Sequence, residues 1–313
     1  MRQPKLQRLI FAALAAACAL LVSGAPARAA GPAFVYDDYG AALSAFVGDD
    51  GMVDYRGLRA DAGTLDAFVG ALAALDPGRY ERWPEQEKIA FWVNAYNGLT
   101  LKAVISHYPI RPSFLGSLRF PENSIRQIPG VWDRLRFSVM GRERTLDEIE
   151  HAVLRREFHE PRIHVALVCA AMGCPPLRRE PYTGEQLSAQ LDDQARRFLA
   201  DPAKFRIDRA EGRAYLSPIF KWFGADFAAS GREQAGFPGR SPAQRAVLAF
   251  VSRYLPEDDR RYLAGEQRYE IVYLDYDWSL NERRGPVLTE RQCRRIGLGG
   301  RGITWRRGAN TDP

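Results

Sequence analysis

The sequence PRIHVALVCAAMGCPPL, residues 161–177, is the part of the chain that best predicts both its fold and its chemistry. The apolar, β-branched residues 163–168 predict a strand, with His164 near its start and Cys169 directly after it. The glycine and prolines that follow predict a turn, and this turn carries Cys174. Side chains at a strand end leave the core and reach solvent. The stretch therefore predicts a site built from a histidine and two cysteines.

The first 29 residues have the pattern of a secretory signal peptide. Three basic residues precede the apolar residues 9–22, and the small-x-small triplet at residues 27–29 supplies a cleavage site. The apolar run is too short and too rich in alanine for a membrane span. We therefore expect cleavage after Ala29 and a periplasmic or secreted protein.

The basic character of the chain belongs to its two ends. The whole sequence has 44 Lys and Arg against 38 Asp and Glu, and the predicted leader contributes four basic residues and no acidic one. The tail, residues 282–313, has eight arginines and three acids, which leaves 32 basic and 35 acidic residues in residues 30–281. A domain without excess positive charge does not favour nucleic-acid binding. The tail allows at most weak, salt-sensitive contact with an anionic membrane surface.

Residues 30–281 are long enough for one domain with its own core. Helical patterns dominate this region, and the longest, residues 84–107, is apolar on every face, which predicts a buried helix. Strand patterns are few and irregularly placed, at residues 205–207, 214–216 and 269–274. This predicts an α+β fold, a single mostly helical domain around a small sheet. The tail has little to bury and is predicted to be disordered, and we expect a monomer.

The two cysteines of the stretch have several interpretations. Cys169 can act as a thiol nucleophile on a turn, activated by a nearby imidazole. Cys169 and Cys174 can instead form a structural disulfide, remain inert thiols, or take part in metal binding or redox exchange. Cys293 is the third cysteine outside the predicted leader, so an oxidising compartment leaves at least one thiol free or bonded to another molecule. The residues alone leave these alternatives open.

His151 and His164 are the candidate bases for a thiol nucleophile. His151 lies on a helix whose start is predicted by a capping box of Thr145 and Glu148, and His164 lies in the stretch itself. Each histidine can equally be a hydrogen-bonded structural residue. The spacing of the histidines and cysteines matches no zinc pattern, so neither a metal nor another cofactor is predicted.

Asn94 and Asn97 lie three residues apart on the long apolar helix. Buried amides need hydrogen-bond partners, so we expect both to be bonded, at least one of them to residues 150–169. Such an amide can orient an imidazole or donate to an oxyanion, as in Cys-His-Asn sites, or it can bridge loops to the helix. Asp226 can partner a histidine or bond a helix end, and Trp222 is predicted to lie in the core.

Four blocks of the sequence together resemble one family, domain-of-unknown-function family 547. They are EKIAFWVNAYN (87–97), PRIHVALVCAAMGCPPL (161–177), LSPIFKWFGADF (216–227) and YDWSLN (276–281). The resemblance runs in order from about residue 53 to residue 281 and leaves out the tail. It implies no particular reaction. Some relatives carry the domain beside glutaredoxin-like modules, which associates it with thiol chemistry.

These observations lead to one expected function and two alternatives. The first is an exported cysteine-dependent hydrolase or acyl-transfer enzyme that acts on an envelope peptide, amide or ester. Its nucleophile is Cys169, its base His151 or His164, and its orienting amide Asn94 or Asn97, a set compatible with a papain- or transglutaminase-like layout. The alternatives are a non-catalytic envelope binding or scaffold domain with a structural Cys169–Cys174 disulfide, and a thiol redox protein. In each case the partner is an unidentified small molecule or peptide.

Overall fold

The computed structural model describes residues 33–112, 114–229, 236–265 and 269–283. The predicted leader at residues 1–29, and the predicted tail after residue 283, lie outside the described residues. Within the described ranges, no helix is both long enough and apolar enough to cross a membrane.

Helices make up most of the described chain. In chain order the α-helices are α1 (Asp37–Phe46), α2 (Tyr55–Ala60), α3 (Gly63–Ala74), α4 (Pro77–Glu81), α5 (Glu85–His107), α6 (Phe114–Ser117), α7 (Arg155–Glu157), α8 (Leu187–Ala200), α9 (Pro218–Trp222), α10 (Gly224–Ala229), α11 (Pro242–Ser252) and α12 (Glu257–Ala264). A π-helix (Glu148–Leu154) leads into α7, and 3-10 helices form at Ile125–Gln127 and Pro161–Val165. The strands are β1 (Phe137–Val139), β2 (Arg142–Arg144), β3 (Phe205–Asp208), β4 (Arg213–Leu216) and β5 (Glu270–Tyr273).

Helix α5 is the centre of the larger core cluster. It begins after Pro84 with two glutamates in its first turn and ends at His107. Its side chains are buried on every face, Phe91 and Trp92 among the largest. Burial of an apolar side chain of this size contributes roughly 1.5–3 kcal/mol. The predicted buried central helix is confirmed, and α3 and the π-helix pack against it.

A second core cluster contains the three-stranded sheet. β3 pairs antiparallel with β4, which places Phe205 opposite Leu216, and β4 pairs parallel with β5, which places Leu216 opposite Tyr273. Helices α8 to α11 share this cluster through side chains such as Phe198 and Phe220. A small mixed sheet flanked by helices confirms the α+β class. A separate hairpin pairs β1 with β2 in antiparallel register.

The two core clusters meet at Tyr276, whose ring packs against both of them. The chain around this residue joins distant parts of the fold. Asn281 accepts a hydrogen bond from the Tyr55 hydroxyl at 2.7 Å, and its backbone carbonyl accepts one from the amide of Val53. Arg283 donates in turn to the Val53 carbonyl. These contacts carry the paired chain two residues past the predicted domain boundary at Asn281.

The strand predicted at residues 163–168 does not form. Pro161–Val165 is a 3-10 helix, and residues 166–168 continue without regular structure. Their backbone groups find partners in a side chain instead of a strand, because Asn97 bonds both the carbonyl of Ala166 and the amide of Val168. A short apolar run predicts burial but does not by itself separate strand from helix or coil.

The predicted helix around His151 is present, but part of it has π-helical geometry. Its capping box is as predicted: the Glu148 amide donates to the Thr145 hydroxyl, and the Thr145 amide donates to the Glu148 carboxylate. Helices α2, α4, α6 and α12 were not predicted. The first of these begins at Tyr55, two residues after Val53, which forms isolated β-bridges with Val47 and Glu282.

Candidate functional site

A cleft of about 290 Å³ opens where the two core clusters meet. Six aromatic side chains line it: Tyr96, Trp132, Trp222, Phe223, Tyr276 and Trp278. Five ionisable side chains share it with them: Arg126, Asp147, Glu150, His151 and His164. Cys169 and Cys174 lie in the same wall. A largely apolar cleft with a few convergent polar groups is the usual form of a ligand site, and such sites commonly lie between packed units.

Cys169 and Cys174 form a disulfide. The two sulfurs differ in surroundings, because Cys169 is partly exposed whereas Cys174 is only 4% exposed. The Tyr276 hydroxyl lies 3.2 Å from the Cys169 sulfur and 3.0 Å from the Cys174 sulfur, and it is the donor because a disulfide carries no proton. The Cys169 amide donates to the Cys174 sulfur at 3.0 Å. In this oxidised form Cys169 has no thiol to act as the predicted nucleophile.

The loop closed by the disulfide is held tightly in an uncommon conformation. Ala170 has a φ of 58°, in the left-handed region that residues other than glycine seldom adopt. The amides of Met172 and Gly173 both donate at 2.7 Å to carbonyls of the segment that follows Tyr276. A Cβ atom at Gly173 would lie 2.8 Å from the Tyr276 ring, so only glycine fits there. Backbone strain that neighbouring contacts hold in place is found most often at functional sites.

His164 is buried beside an ion pair at the edge of the cleft. Its Nε2 lies 2.8 Å from Asp226 Oδ2, and the Phe223 ring stacks on the imidazole at 4.0 Å. Arg155 binds the same carboxylate in two places, at 2.6 Å and 2.9 Å. Burial favours a raised pKa for Asp226, but the hydrogen bonds from His164 and Arg155 outweigh it and hold the pKa well below its usual range. An ionised carboxylate only accepts hydrogen bonds, so Nε2 of His164 carries a proton.

His151 belongs to the same network and is more exposed. Its Nδ1 lies 3.0 Å from Arg155 Nη1, so Arg155 connects the two predicted histidines through Asp226. On the other side, His151 Nε2 lies 3.9 Å from Asp147. Burial raises the pKa of Asp147 above its usual range. The two histidines therefore occupy one cleft and one hydrogen-bonded chain, with His164 at the buried end and His151 at the open end.

The lowered pKa of Asp226 predicts a component of acid sensitivity. A carboxyl group with a depressed folded-state pKa stabilises the fold above its unfolded-state pKa, about 3.9, and this contribution is lost as the pH falls through the folded-state value. We expect Asp226→Asn to be less stable than the parent at pH 7 and the difference to shrink below about pH 4. Urea unfolding between pH 7 and pH 2.5 measures both. A difference that stays constant over this range would contradict the assignment.

Asn94 and Asn97 are both buried and both bonded, as predicted, but they hold different segments. The Asn97 amide donates to the carbonyl of Ala166 at 3.0 Å and accepts from the amide of Val168 at 2.8 Å. Asn94 makes the same pair of bonds with the backbone of Tyr182. Only Asn97 therefore reaches the segment that leads into Cys169, and neither amide lines the cleft.

Comparison with known families finds a match over the middle of the chain. Residues 80–199 match the family described as "Protein of unknown function, DUF547". These residues belong to the DUF547 family. Neither a curated protein nor a solved structure matches the chain. The papain- or transglutaminase-like layout therefore stays a prediction.

The DUF547 segment contributes only part of the cleft. It contains both asparagines, the disulfide and both histidines. Asp226, Trp222, Tyr276 and Trp278 come from beyond residue 199. The two sequence blocks that contain them resemble the family but lie outside the matched residues. The site is thus assembled from the DUF547 segment and the chain that follows it.

The sequence prediction is wrong for one side chain of the cleft and does not include several others. Trp222 was predicted to lie in the core, but it is 48% exposed and its ring lies 5.0 Å from that of Tyr276. The block that contains Tyr276 and Trp278 resembles the family, but neither residue was predicted to belong to the site. Arg126 and Asp147 were not predicted as site residues. A tryptophan among charged and small residues, as in FKWFGAD, was the available signal for Trp222.

Among the described residues, no group of three or more His, Cys, Asp and Glu side chains has an arrangement that could hold a metal ion. Two acidic side chains of the site are committed to other partners. Asp226 is occupied by Arg155 and His164, and Asp147 lies beside His151. The site brings the Cys169–Cys174 disulfide together with a histidine–carboxylate pair and aromatic rings, groups that can transfer a proton and bind a ligand.

Proposed function

We propose that this chain is an exported thiol–disulfide exchange protein that binds a thiol-containing small molecule or peptide in the aromatic cleft. The reacting group is the Cys169–Cys174 disulfide. The cleft supplies the binding surface, and His164 with Asp226 supplies a base. The pattern of a secretory leader supports an oxidising compartment, where such a disulfide persists.

The observation that carries the proposal is the asymmetry of the disulfide. Cys169 is the sulfur that a ligand can approach from the cleft, because Cys174 is almost fully buried. Cys174 is the better leaving group, because its sulfur accepts hydrogen bonds from the Cys169 amide and the Tyr276 hydroxyl. Hydrogen bonds to a thiolate favour the charged form. Exchange requires these two properties, an accessible sulfur and a stabilised leaving thiolate.

The exchange proceeds in two balanced steps. The thiolate of the bound partner attacks the Cys169 sulfur, a new bond forms between these two sulfurs, and the Cys169–Cys174 bond breaks. The electron pair of that bond stays on the Cys174 sulfur. A second thiol of the partner then attacks the mixed disulfide and releases Cys169, so the partner leaves oxidised by two electrons and the protein is reduced. A low-molecular-weight disulfide returns the protein to its starting form.

Three side chains of the site have defined roles in these steps. His164 accepts the proton of the attacking thiol on its other ring nitrogen, Nδ1, because Nε2 donates to Asp226, and Asp226 holds the imidazole in the required orientation. Tyr276 stabilises the Cys174 thiolate through its hydroxyl. Burial raises the pKa of Tyr276 above its usual range, so this hydroxyl keeps its proton at neutral pH and can donate.

Trapping the mixed disulfide tests the proposal. Reduced protein is mixed with oxidised glutathione, quenched in acid and weighed intact, with Cys293→Ser as the common background so that the third cysteine does not react. The parent should return to the internal disulfide without a lasting adduct. Cys174→Ser should accumulate one glutathione on Cys169, at least roughly tenfold faster than Cys169→Ser accumulates one on the buried Cys174.

Other outcomes decide between this proposal and its alternatives. If the parent disulfide resists excess reduced glutathione under native conditions, and neither variant forms an adduct readily, the disulfide is structural. The chain is then the non-catalytic binding or scaffold domain. Equal adduct rates on the two single-cysteine variants would also contradict the assigned roles of Cys169 and Cys174.

The second candidate is the cysteine-dependent hydrolase or acyl-transfer enzyme. One observation favours it: His164, which Asp226 holds, lines the same cleft as Cys169, and a thiol nucleophile requires a nearby base. In this case the disulfide is the resting form, and the reduced protein is the enzyme. A chromogenic ester that acylates the reduced parent but not Cys169→Ala favours this candidate. Absence of acylation, together with the glutathione adduct on Cys174→Ser, favours exchange.

A further inference from the structure

Arg126 stands apart from the other charged groups of the cleft. Its guanidinium carbon lies 4.4 Å from the centre of the Phe120 ring, 4.6 Å from that of Trp278 and 5.6 Å from that of Trp132. Contacts between a guanidinium and aromatic faces are favourable, and they hold the side chain in place while leaving its N–H groups free to donate. The 3-10 helix at Ile125–Gln127, capped by Ser124, fixes the backbone below it.

The Arg126 guanidinium has no acidic partner in the described part of the chain. It takes part in none of the ion pairs there, and its backbone amide is its only hydrogen-bonding donor. The neighbouring rings desolvate it and lower its pKa from the usual value, but an arginine remains charged at neutral pH. The cleft acid Asp147 lies beside His151 instead. The Arg126 guanidinium is charged, is held between aromatic rings and lines the cleft without a protein acceptor. It is therefore positioned to bind an anion.

We infer that Arg126 binds a carboxylate of the ligand, and that this carboxylate is attached to a flat or apolar group that packs on Trp278 and Trp132. A guanidinium binds a carboxylate through two parallel N–H···O bonds, which the rings orient here. The aromatic walls of the cleft favour a planar neighbour for that carboxylate. The inference deepens the proposed function, because it names the chemical class of the molecule that is bound beside the disulfide. It rests on the proposed function only in that the ligand also carries a thiol.

The volume and charge of the cleft narrow the class further. About 290 Å³ admits a molecule of dipeptide size, not a folded partner. Asp147 and Glu150 line the same cleft, so a second negative charge on the ligand is disfavoured away from Arg126. The ligand is therefore a small monocarboxylate, or the single carboxylate end of a peptide inserted into the cleft.

Binding of benzoate tests the inference without any thiol chemistry. Benzoate carries a carboxylate on a flat ring, and benzamide is its neutral counterpart. The oxidised parent protein is titrated with each, and binding is followed by tryptophan fluorescence, because Trp132, Trp222 and Trp278 line the cleft. We expect benzoate to bind at least roughly tenfold more tightly than benzamide, as charge-assisted hydrogen bonds do over neutral ones.

Variants of Arg126 test whether this residue causes the preference for benzoate over benzamide. Arg126→Met keeps the contacts with the rings but removes the charge, and it should weaken benzoate binding roughly tenfold or more while leaving benzamide unchanged. Arg126→Lys keeps the charge without the fork and should fall between the two. Arg119→Met is the matched control, since Arg119 is exposed and does not line the cleft, and it should bind like the parent.

Each result has one meaning. Equal binding of benzoate and benzamide by the parent overturns the inference without reference to any variant, and so does an unchanged benzoate affinity in Arg126→Met. Benzoate binding that depends on Arg126, in a protein whose Cys169 does not exchange, keeps the inference and removes the proposed function. Exchange at Cys169 without a benzoate preference removes the inference alone.

Discussion

Replacing Arg162 by methionine is expected to lower the free energy of unfolding at pH 7 by about 3–5 kcal/mol, the cost of breaking a buried ion pair by removing one partner. The Arg162 side chain is only 8% exposed. It binds Glu160 through two nitrogens, at 2.8 Å and 2.6 Å, and Asp192 through a third at 2.9 Å. The hydrogen bonds that Arg162 donates to Glu160 are the largest cause of the raised pKa of Arg162. Methionine would leave both carboxylates without their cation.

Arg178→Met is the matched control for this prediction. Arg178 is also poorly exposed, at 11%, and it also pairs with two acids, Glu180 and Asp193. Those acids are 56% and 49% exposed, whereas the acids at Arg162 are 14% and 30% exposed. Water can solvate the carboxylates at Arg178 after the change, so we expect a loss of about 1 kcal/mol or less. Urea unfolding of the oxidised proteins measures both.

The two arginines differ mainly in the burial of their acidic partners, so the two variants together test whether that burial sets the loss of stability. If Arg162→Met loses no more stability than Arg178→Met, the burial of the acids does not determine how much stability is lost. The ion pairs of Arg162 then contribute no more to the fold than those of Arg178. The expected order is parent, Arg178→Met, Arg162→Lys and Arg162→Met from most to least stable. Lysine keeps the charge at position 162 but cannot form the paired bonds to Glu160.

Arg162 also shows what the sequence could predict about this fold. Its neighbours in residues 163–168 are apolar enough to predict burial, and they are buried. Their conformation depends on groups far away in the chain: Asp192 is 30 residues from Arg162, and Asn97 is 71 residues from Val168. A local pattern contains no information on such partners. The predicted strand was wrong for this reason, whereas α5, whose burial on all faces is a property of its own residues, was predicted correctly.

The residues of the candidate site likewise divide into those that are close in sequence, which were predicted together, and those that are distant, which were not. His164 and Cys169 were predicted together because they are close in sequence, and both line the cleft. Tyr276 lies 107 residues from Cys169 and was not predicted to reach it. The pairing of His164 with Asp226, over 62 residues, was open from sequence and is present in the structure. Arg126 was missed because an arginine in a loop-rich segment has no pattern that separates a ligand-binding role from a solvated one.

Replacing Asn97 by alanine is the second change with a large expected effect. It leaves the carbonyl of Ala166 and the amide of Val168 buried without partners. A stranded buried group costs roughly 1–3 kcal/mol, so we expect a loss of about 2–4 kcal/mol in the free energy of unfolding. Because Val168 adjoins Cys169, the loss should also be felt at the disulfide.

Asn94→Ala is the control that separates a general loss of stability from an effect on the disulfide. Asn94 makes the same two bonds with the backbone of Tyr182, which is equally buried, so the loss of stability should be of similar size. Tyr182 does not line the cleft. The two variants therefore differ mainly in which segment loses its anchor, either the residues before Cys169 or a loop outside the site.

The rate at which dithiothreitol reduces the Cys169–Cys174 disulfide under native conditions distinguishes them. Asn97→Ala should be reduced at least about fivefold faster than the parent, the factor that corresponds to 1 kcal/mol of easier local opening. Asn94→Ala should stay within about twofold of the parent, since its loss falls elsewhere. If both variants accelerate equally, reduction proceeds through global unfolding, and Asn97 does not position the disulfide. If neither accelerates, the disulfide loop is held by Tyr276 and the segment after it, because these contacts remain intact in both variants.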